Sequence, residues 1–327
     1  MTSYEGFYRL LEERLASLYS DKRFSNENLF EPQRYILSLG GKRLRPMLAL
    51  IIADMFDADV KKALPAAMCV ELFHNFSLIH DDILDKAPLR RGKKTVHKKW
   101  NLNIAILSGD AMLVRAYIEL QQAEKEKLPK LLEIFNSTSL EVCIGQQEDM
   151  DFETMANVRV DDYKKMITGK TAVLLACSMQ MGAVCAASNE KNANRIYECG
   201  KNLGIAFQLK DDLLDVFGEK ELVGKQVGGD IISNKKTFLL LKALELARGK
   251  DLSDLKQWIG AKKFNAQEKV KSVKKLYEKL GVQSMTEKEI NRHYKKSMQF
   301  LDEVSPINSE KKKIFKTFCQ ALMQREK

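Results

Sequence analysis

Turn-forming residues are scarce in this chain: its 327 residues include 17 glycines and only 6 prolines. A fold of many short strands needs a turn about every dozen residues, so a many-stranded β architecture is excluded. Six cysteines (Cys69, Cys143, Cys177, Cys185, Cys199 and Cys319) occur without any C-x-x-C pair. Several lie in apolar helical tracts, where a thiol behaves as a small hydrophobe. Reduced, structural cysteines and a cytoplasmic location are therefore expected. The N-terminus, MTSYEGFYRLLEERL, has no basic region followed by an apolar run, so no signal peptide is expected. Nor is there a run of about 20 apolar residues fit to cross a bilayer. The least polar tract, Thr171 to Ala187, is short and interrupted by Ser178 and Gln180, which marks a buried core helix.

Helix formers are abundant instead. Leu, Ala, Lys, Glu and Met fill long uninterrupted tracts. Apolar periodicity predicts helices over 5–20, 31–39, 46–56, 65–86, 104–127, 129–150, 160–187, 190–218 and 235–248, with charged outer helices from 250 to 327. Pro65 opens one of these and Pro88 lies just past its end, as helix punctuation requires. No strand is predicted. No Pro/Gly/Ser-rich linker divides the chain, so one all-α domain over 1–327 is expected.

Two stretches carry carboxylates at helical spacing, DDILD at 81–85 and DDLLD at 211–215. Positions i and i+4 share a helix face, so Asp81 pairs with Asp85 and Asp211 with Asp215. Two such charges near 4 Å repel by about 4 kcal/mol near a protein surface; on a solvated helix the cost falls to a few tenths. The flanking tracts FHNFSLIH and LGIAFQL are too apolar to face water, and a buried set of acids wants a cation. Oxygen ligands without Cys or His pairs favour Mg²⁺, which usually binds one or two carboxylates plus substrate phosphate. His74 lies two turns below Asp81 on nearly the same face, with small Ser77 between them. Gln208 and Phe207 lie one turn below Asp211, and Gly204 two turns below. Each helix thus has an acidic rim above small residues that leave room for a void. A lysine precedes each cluster at similar separation, Lys42 by 39 positions and Lys170 by 41. A pseudo-symmetric bundle with a central pocket and coincidence both explain that spacing.

The net charge is +10, so an anionic partner is expected. From Lys86 to Trp100 there are seven Lys/Arg and no acid. Arg90 and Arg91 follow directly on DDILD, and arginine's fork suits phosphate. Nucleic acid fits poorly: aromatics are not interleaved with the bases, and the neighbouring acids repel a polyphosphate. Acid, metal and arginine together point to a small diphosphate.

GGKRLRP (40–46), DDILD with RRG (81–92), GKT (169–171), QLKDDLLD (208–215) and GGDIISNKKT (228–237), in that order, resemble the motifs of the trans-isoprenyl diphosphate synthases, the polyprenyl synthetase family. The resemblance implies an all-α bundle of the isoprenoid synthase type, a homodimer, and head-to-tail condensation of isopentenyl diphosphate with an allylic diphosphate through a carbocation. It assigns Asp81, Asp85 and Asp211 as Mg²⁺ ligands, with Asp82 and Asp215 supporting. Arg90, Lys170, Lys225 and Lys235 neutralise the allylic diphosphate. Lys42, Arg45, His74 and Arg91 hold isopentenyl diphosphate, and Thr171 and Gln208 face the carbocation. Asn234 stands where a glycine usually precedes the lysine, which leaves Lys236 as the alternative to Lys235. Phe238-Leu239 replaces the usual Leu-Pro. Residues four and five before the first aspartate, Ser77 and Phe76, set the pocket floor in this family. One aromatic there resembles geranylgeranyl diphosphate synthases; farnesyl diphosphate is the second candidate product, and Phe73 the next floor residue.

Three rivals belong to other classes. A terpene cyclase uses DDxxD without an isopentenyl site, a partner subunit of a prenyl synthase has damaged motifs, and a di-iron bundle needs two E-x-x-H motifs where only Glu71–His74 fits. GGKRLRP and RRG argue against the first, the intact motifs against the second, and the missing second E-x-x-H against the third. The enzyme reading requires both aspartate helices to present their acids to one bound pyrophosphate.

Overall fold

Helices supply nearly all the regular structure, as the shortage of turn formers demands. The computed structural model describes residues 4–218 and 228–324. In chain order the helices are α1 (Glu5–Ser17), α2 (Glu27–Ser38), α3 (Leu44–Met55), α4 (Leu64–Leu84), α5 (Val96–Lys99), α6 (Leu102–Leu120), α7 (Leu128–Thr154), α8 (Val160–Ile167), α9 (Val173–Cys185) and α10 (Glu190–Phe217). Beyond residue 228 follow α11 (Gly229–Ile232), α12 (Phe238–Leu246), α13 (Gly249–Gly260), α14 (Ala266–Lys279), α15 (Val282–Asp302) and α16 (Ser309–Gln324).

The chain groups into two compact units. One comprises Met1–Ser137, Cys177–Tyr197 and Val304–Phe318; the other comprises Thr138–Ala176, Glu198–Glu303 and Cys319–Lys327. In the first unit α3 is apolar on every side, and Pro46 to Ala53 are all buried, as an all-round hydrophobic helix must be. A Cβ on Gly182 would sit 2.2 Å from the Ala49 carbonyl oxygen, so only glycine permits this approach to α3. Phe73 and Phe135 are buried with ring centroids 5.4 Å apart, and Tyr117 lies 5.1 Å from Phe135. Phe73 is therefore a core residue.

One expectation fails in this unit: Leu89–Arg90 (β1) and Lys93–Lys94 (β2) form a two-residue antiparallel hairpin. Its turn is Arg91-Gly92, both at positive φ (52° and 74°), the geometry that matches strand twist in two-residue hairpins. So short a ladder leaves no period-2 signal to read.

The second unit contains the other departure. Helix 160–187 is not continuous: Thr168–Ala172, the TGKTA segment, forms a π-helical turn between α8 and α9. An extra residue in one turn does not disturb apolar periodicity enough to show, and such turns recur at functional sites. The apolar run Val160–Cys185 is long enough to cross a bilayer by composition, yet 72% of its most apolar window is buried. None of the six cysteines is in a disulfide, and all but Cys143 are buried.

Candidate active site

Helix α4 ends in a left-handed residue, Lys86 (φ 52°). Its N–H reaches the Ile83 carbonyl at 3.1 Å, and Ala87 N–H reaches Asp82 O at 2.9 Å, the paired bonds of a Schellman stop. The acidic cluster thus occupies the last turn, where it divides by depth. Asp85 is exposed and Asp81 half-buried, while Asp82 turns inward and is 2% exposed. Arg90 grips Asp82 with both sides of its fork, Nε to Oδ2 at 2.8 Å and Nη2 to Oδ1 at 2.8 Å, and lies 3.5 Å from Asp81 Oδ2. Burial raises the Asp82 pKa and Arg90 opposes it. Asp82 is thus an anchor for the hairpin arginine, and Asp81 and Asp85 are the outward pair.

The same unit gathers a cationic cluster. Gly40 and Gly41 (φ 76° and 146°) and Arg43 (φ 45°) turn the chain sharply into α3. A Cβ on Gly41 would lie 2.9 Å from the Arg91 guanidinium, so glycine admits Arg91 here. Arg45 Nη1 stands 3.3 Å from His74 Nε2. Burial, then Arg45, Arg91, Arg90 and Arg43 in turn, push the His74 pKa well below its usual value. His74 is a neutral imidazole among guanidiniums, an arrangement that attracts an anion. Lys42 is exposed. Arg43 goes inward, paired with Glu71 at 2.7 Å and Glu12 at 3.0 Å, and is a structural strut that sequence could not separate from Arg45. Below the aspartates, Ser77 donates to the His74 carbonyl at 2.8 Å. Phe76 is half-buried, 5.5 Å from the Phe73 ring and 4.8 Å from His80.

In the second unit the π-turn presents Lys170 and Thr171. Glycines make this possible: a Cβ on Gly145 would lie 2.2 Å from Lys170 N, and one on Gly169 3.1 Å from Glu141 O. Gly204 does not leave a void; a Cβ there would meet Ala172 Cα at 2.7 Å, because the π-turn packs directly on α10. A recess with about 330 Å³ of empty space is lined by Asp149, Tyr163, Lys170, Thr171, Gln208, Asp212, Lys235, Lys236 and Thr237, with Met166 and Ile167. Lys170 Nζ binds Asp149 Oδ2 at 2.6 Å, and Lys235 Nζ lies 3.8 Å from the same oxygen. Lys236, which also lines the recess, donates to the Met155 carbonyl.

A hydrogen-bonded chain crosses that recess. Thr171 Oγ1 donates to Gln208 Oε1 (3.1 Å), Gln208 Nε2 to Asp212 Oδ1 (2.8 Å), and Tyr163 OH to Asp212 Oδ2 (2.5 Å). Burial lifts the Asp212 pKa to about 6, against the hydrogen bonds of Tyr163 and Gln208. Asp215 Oδ2 accepts from Asp230 N–H at 3.0 Å and so caps the short helix α11, while Asp211 is half-buried on the rim. Lys225 lies outside the described residues. Asp149, Tyr163 and Asp212 were not singled out from sequence; the acids of EDMD and DDLLD were the only signal.

The model of the family described as Polyprenyl synthetase matches residues 26–279. The chain belongs to that family. It is a trans-isoprenyl diphosphate synthase, a prenyltransferase of head-to-tail condensation. A geranylgeranyl diphosphate synthase of Sulfolobus acidocaldarius is 34% identical to this synthase over 305 residues, 91% of each chain. A crystal structure of a geranylgeranyl pyrophosphate synthase superimposes with a TM-score of 0.94 at 44% identity, covering 100% of both chains. The geranylgeranyl pyrophosphate synthase from Corynebacterium glutamicum, complexed with isoprenyl diphosphate and magnesium, gives 0.88 at 26% identity, covering 97% of this chain and 98% of that one. Among the described residues no group of three or more His, Cys, Asp or Glu is close enough to hold a metal ion by itself. Carboxylate oxygen is nevertheless the donor type that suits Mg²⁺, which usually takes one or two carboxylates and would draw its other ligands from water and substrate phosphate.

Proposed function

We propose that this synthase makes geranylgeranyl diphosphate, adding isopentenyl diphosphate to dimethylallyl, geranyl or farnesyl diphosphate. The observation that carries the product is the single half-buried aromatic, Phe76, set beside small Ser77 below Asp81. One ring in that place shortens a growing chain without arresting it at once.

Asp81, Asp85 and Asp211 would hold Mg²⁺, with Asp82 and Asp215 supporting through the bonds described above. Bound there, the metal supplies positive charge to the departing diphosphate. Lys170 and Lys235, together with Lys225 and Arg90, hold the allylic diphosphate. Cations already in place where negative charge develops stabilise C–O cleavage without reorganisation. Arg45, Arg91, Lys42 and neutral His74 hold isopentenyl diphosphate. Gln208 is locked by Asp212 and Thr171, and its carbonyl and the Thr171 hydroxyl keep lone pairs to face the carbocation. No side chain need act as base, since the released diphosphate takes the proton. The whole chain 1–327 is proposed as one catalytic domain. Two copies pair through the outer face of α6, where Leu102, Ile106, Leu107, Val114 and Tyr117 are exposed.

Product analysis with the three allylic starters tests the reading. A C20 product from each, with isopentenyl diphosphate consumed and magnesium required, is expected. Arrest at C15 would replace the product by farnesyl diphosphate. Hydrocarbon formed without isopentenyl diphosphate would overturn the assignment of the Arg45–His74–Arg91 cluster.

A further inference from the structure

Lys269 on α14 is the one lysine among the described residues that is wholly buried, at 0% exposure. Its ammonium donates to Asn234 Oδ1 at 2.7 Å and to the Ile232 carbonyl at 3.2 Å, and lies 4.3 Å from the Phe264 ring centroid. No carboxylate of the described residues forms an ion pair with it. An ammonium surrounded by neutral dipoles is costly to bury, and burial lowers its pKa. Its two bonds both fall on the segment that leads into Lys235.

Asn234 is the position where glycine was expected, and its φ of 56° explains the preference. Only glycine, or less readily Asn and Asp, settles in the left-handed region. The amide does more than tolerate the turn. Its Nδ2 donates to the Ile259 carbonyl at 3.0 Å, and an ammonium, which only donates, fixes Oδ1 on the other side. The chain then passes directly to Lys235, whose N–H is held by Asp230 O at 2.9 Å. The next residue on α14 guards the other end of the segment: a Cβ on Gly228 would meet Val270 Cγ2 at 2.6 Å. Residues 269 and 270 thus grip both ends of Gly228–Asn234.

We infer that Lys269 is a positioning residue of this synthase, acting through Asn234 to aim Lys235 into the diphosphate recess. The inference rests on the proposed role of Lys235. It also gives the charged C-terminal helices, which carry no family motif, a part in the chemistry.

The experiment measures kcat and both KM values for Lys269→Met, Asn234→Gly, Lys235→Met and the Lys269→Met/Lys235→Met pair, with thermal unfolding of each. Asn234→Gly keeps the left-handed backbone and removes the side-chain links to Lys269 and Ile259, so it stands in should Lys269→Met fail to fold. Lys269→Met and Asn234→Gly are each expected to raise KM for the allylic diphosphate about 10-fold while KM for isopentenyl diphosphate stays within twofold. In the Lys235→Met background, Lys269→Met should add nothing further. Equal rises in both KM values, additive losses, or a lower Tm with unchanged kinetics would each overturn the inference. An unchanged allylic KM in Lys235→Met would instead sink the role given to Lys235.

Discussion

Gly145→Ala is a one-methyl change at a residue with no side chain to offer a substrate, yet it should disable this synthase. The added Cβ would lie 2.2 Å from Lys170 N, 2.6 Å from Gly169 C and 2.8 Å from Lys170 Cα. Ordinary contact begins at 3.4 Å, so the π-turn must retreat by 3.4 − 2.2 = 1.2 Å. Backbone, unlike a side-chain tip, cannot swing aside. The displaced residues are Lys170 and Thr171, and a misplacement of about 1 Å costs roughly 100-fold in rate, about 2.7 kcal/mol on the barrier. Stability should change less. Overpacking costs roughly 1–3 kcal/mol, and alanine offsets about 1 kcal/mol of that by its helix propensity. The expected signature is a collapse of kcat with helical circular dichroism and Tm nearly preserved. Gly169→Ala, whose Cβ meets Glu141 O at 3.1 Å, should lose less, and Gly6→Ala, with nothing within 4 Å, should lose nothing. A Gly145→Ala enzyme within threefold of the parent kcat would refute the claim that this glycine contact positions the catalytic turn.

Asp81→Ala and Asp211→Ala should each lower turnover by orders of magnitude with the helical fold intact; near-normal rates in either would remove that residue from the metal set. Phe76→Ala should lengthen the product, read by chromatography of the dephosphorylated alcohols, and an unchanged chain length would place the floor elsewhere. His293 supplies a pH prediction. Burial, then Arg292, pull its pKa to about 4 against the pull of Glu289. Its neutral ring bonds Asn202 Oδ1 at 3.0 Å and Arg292 at 3.1 Å. The unfolded chain takes up this proton below about pH 6.5 and the folded one only below about 4. Stability therefore falls as pH drops from 6.5 to 4, by up to about 3 kcal/mol. His293→Gln should flatten that slope in urea titrations; an unaltered slope would assign it to other groups.

The sequence made helix content and the aspartate spacing readable because both depend on local rules. Periodicity gives a helix, and four residues bring two side chains to one face. The departures all arise where a single backbone angle decides. In GGKRLRP the two arginines look alike, but the left-handed turn at Arg43 sends that side chain to Glu71 and leaves Arg45 beside His74. In the first acidic cluster, one step of 100° separates Asp81 on the rim from Asp82 against Arg90. Periodicity places both on the helix without saying which one the half-buried Arg90 claims.

The Asn234 departure shows the opposite case, in which an irregularity was legible and its meaning was not. A missing glycine looked like an alignment doubt between Lys235 and Lys236. The geometry supports the proposal of Lys235: the residue before it is left-handed as glycine would be, Lys235 approaches Asp149, and Lys236 donates to the Met155 carbonyl. Asparagine adds what glycine lacks, an amide for a buried lysine to hold, and that lysine comes from the charged outer helices, which carry no family motif. The partner of an irregular residue lies 35 positions away, beyond any local pattern. Such a site is therefore read in two stages: local rules mark the exception, and only the packing of distant helices reveals what it holds.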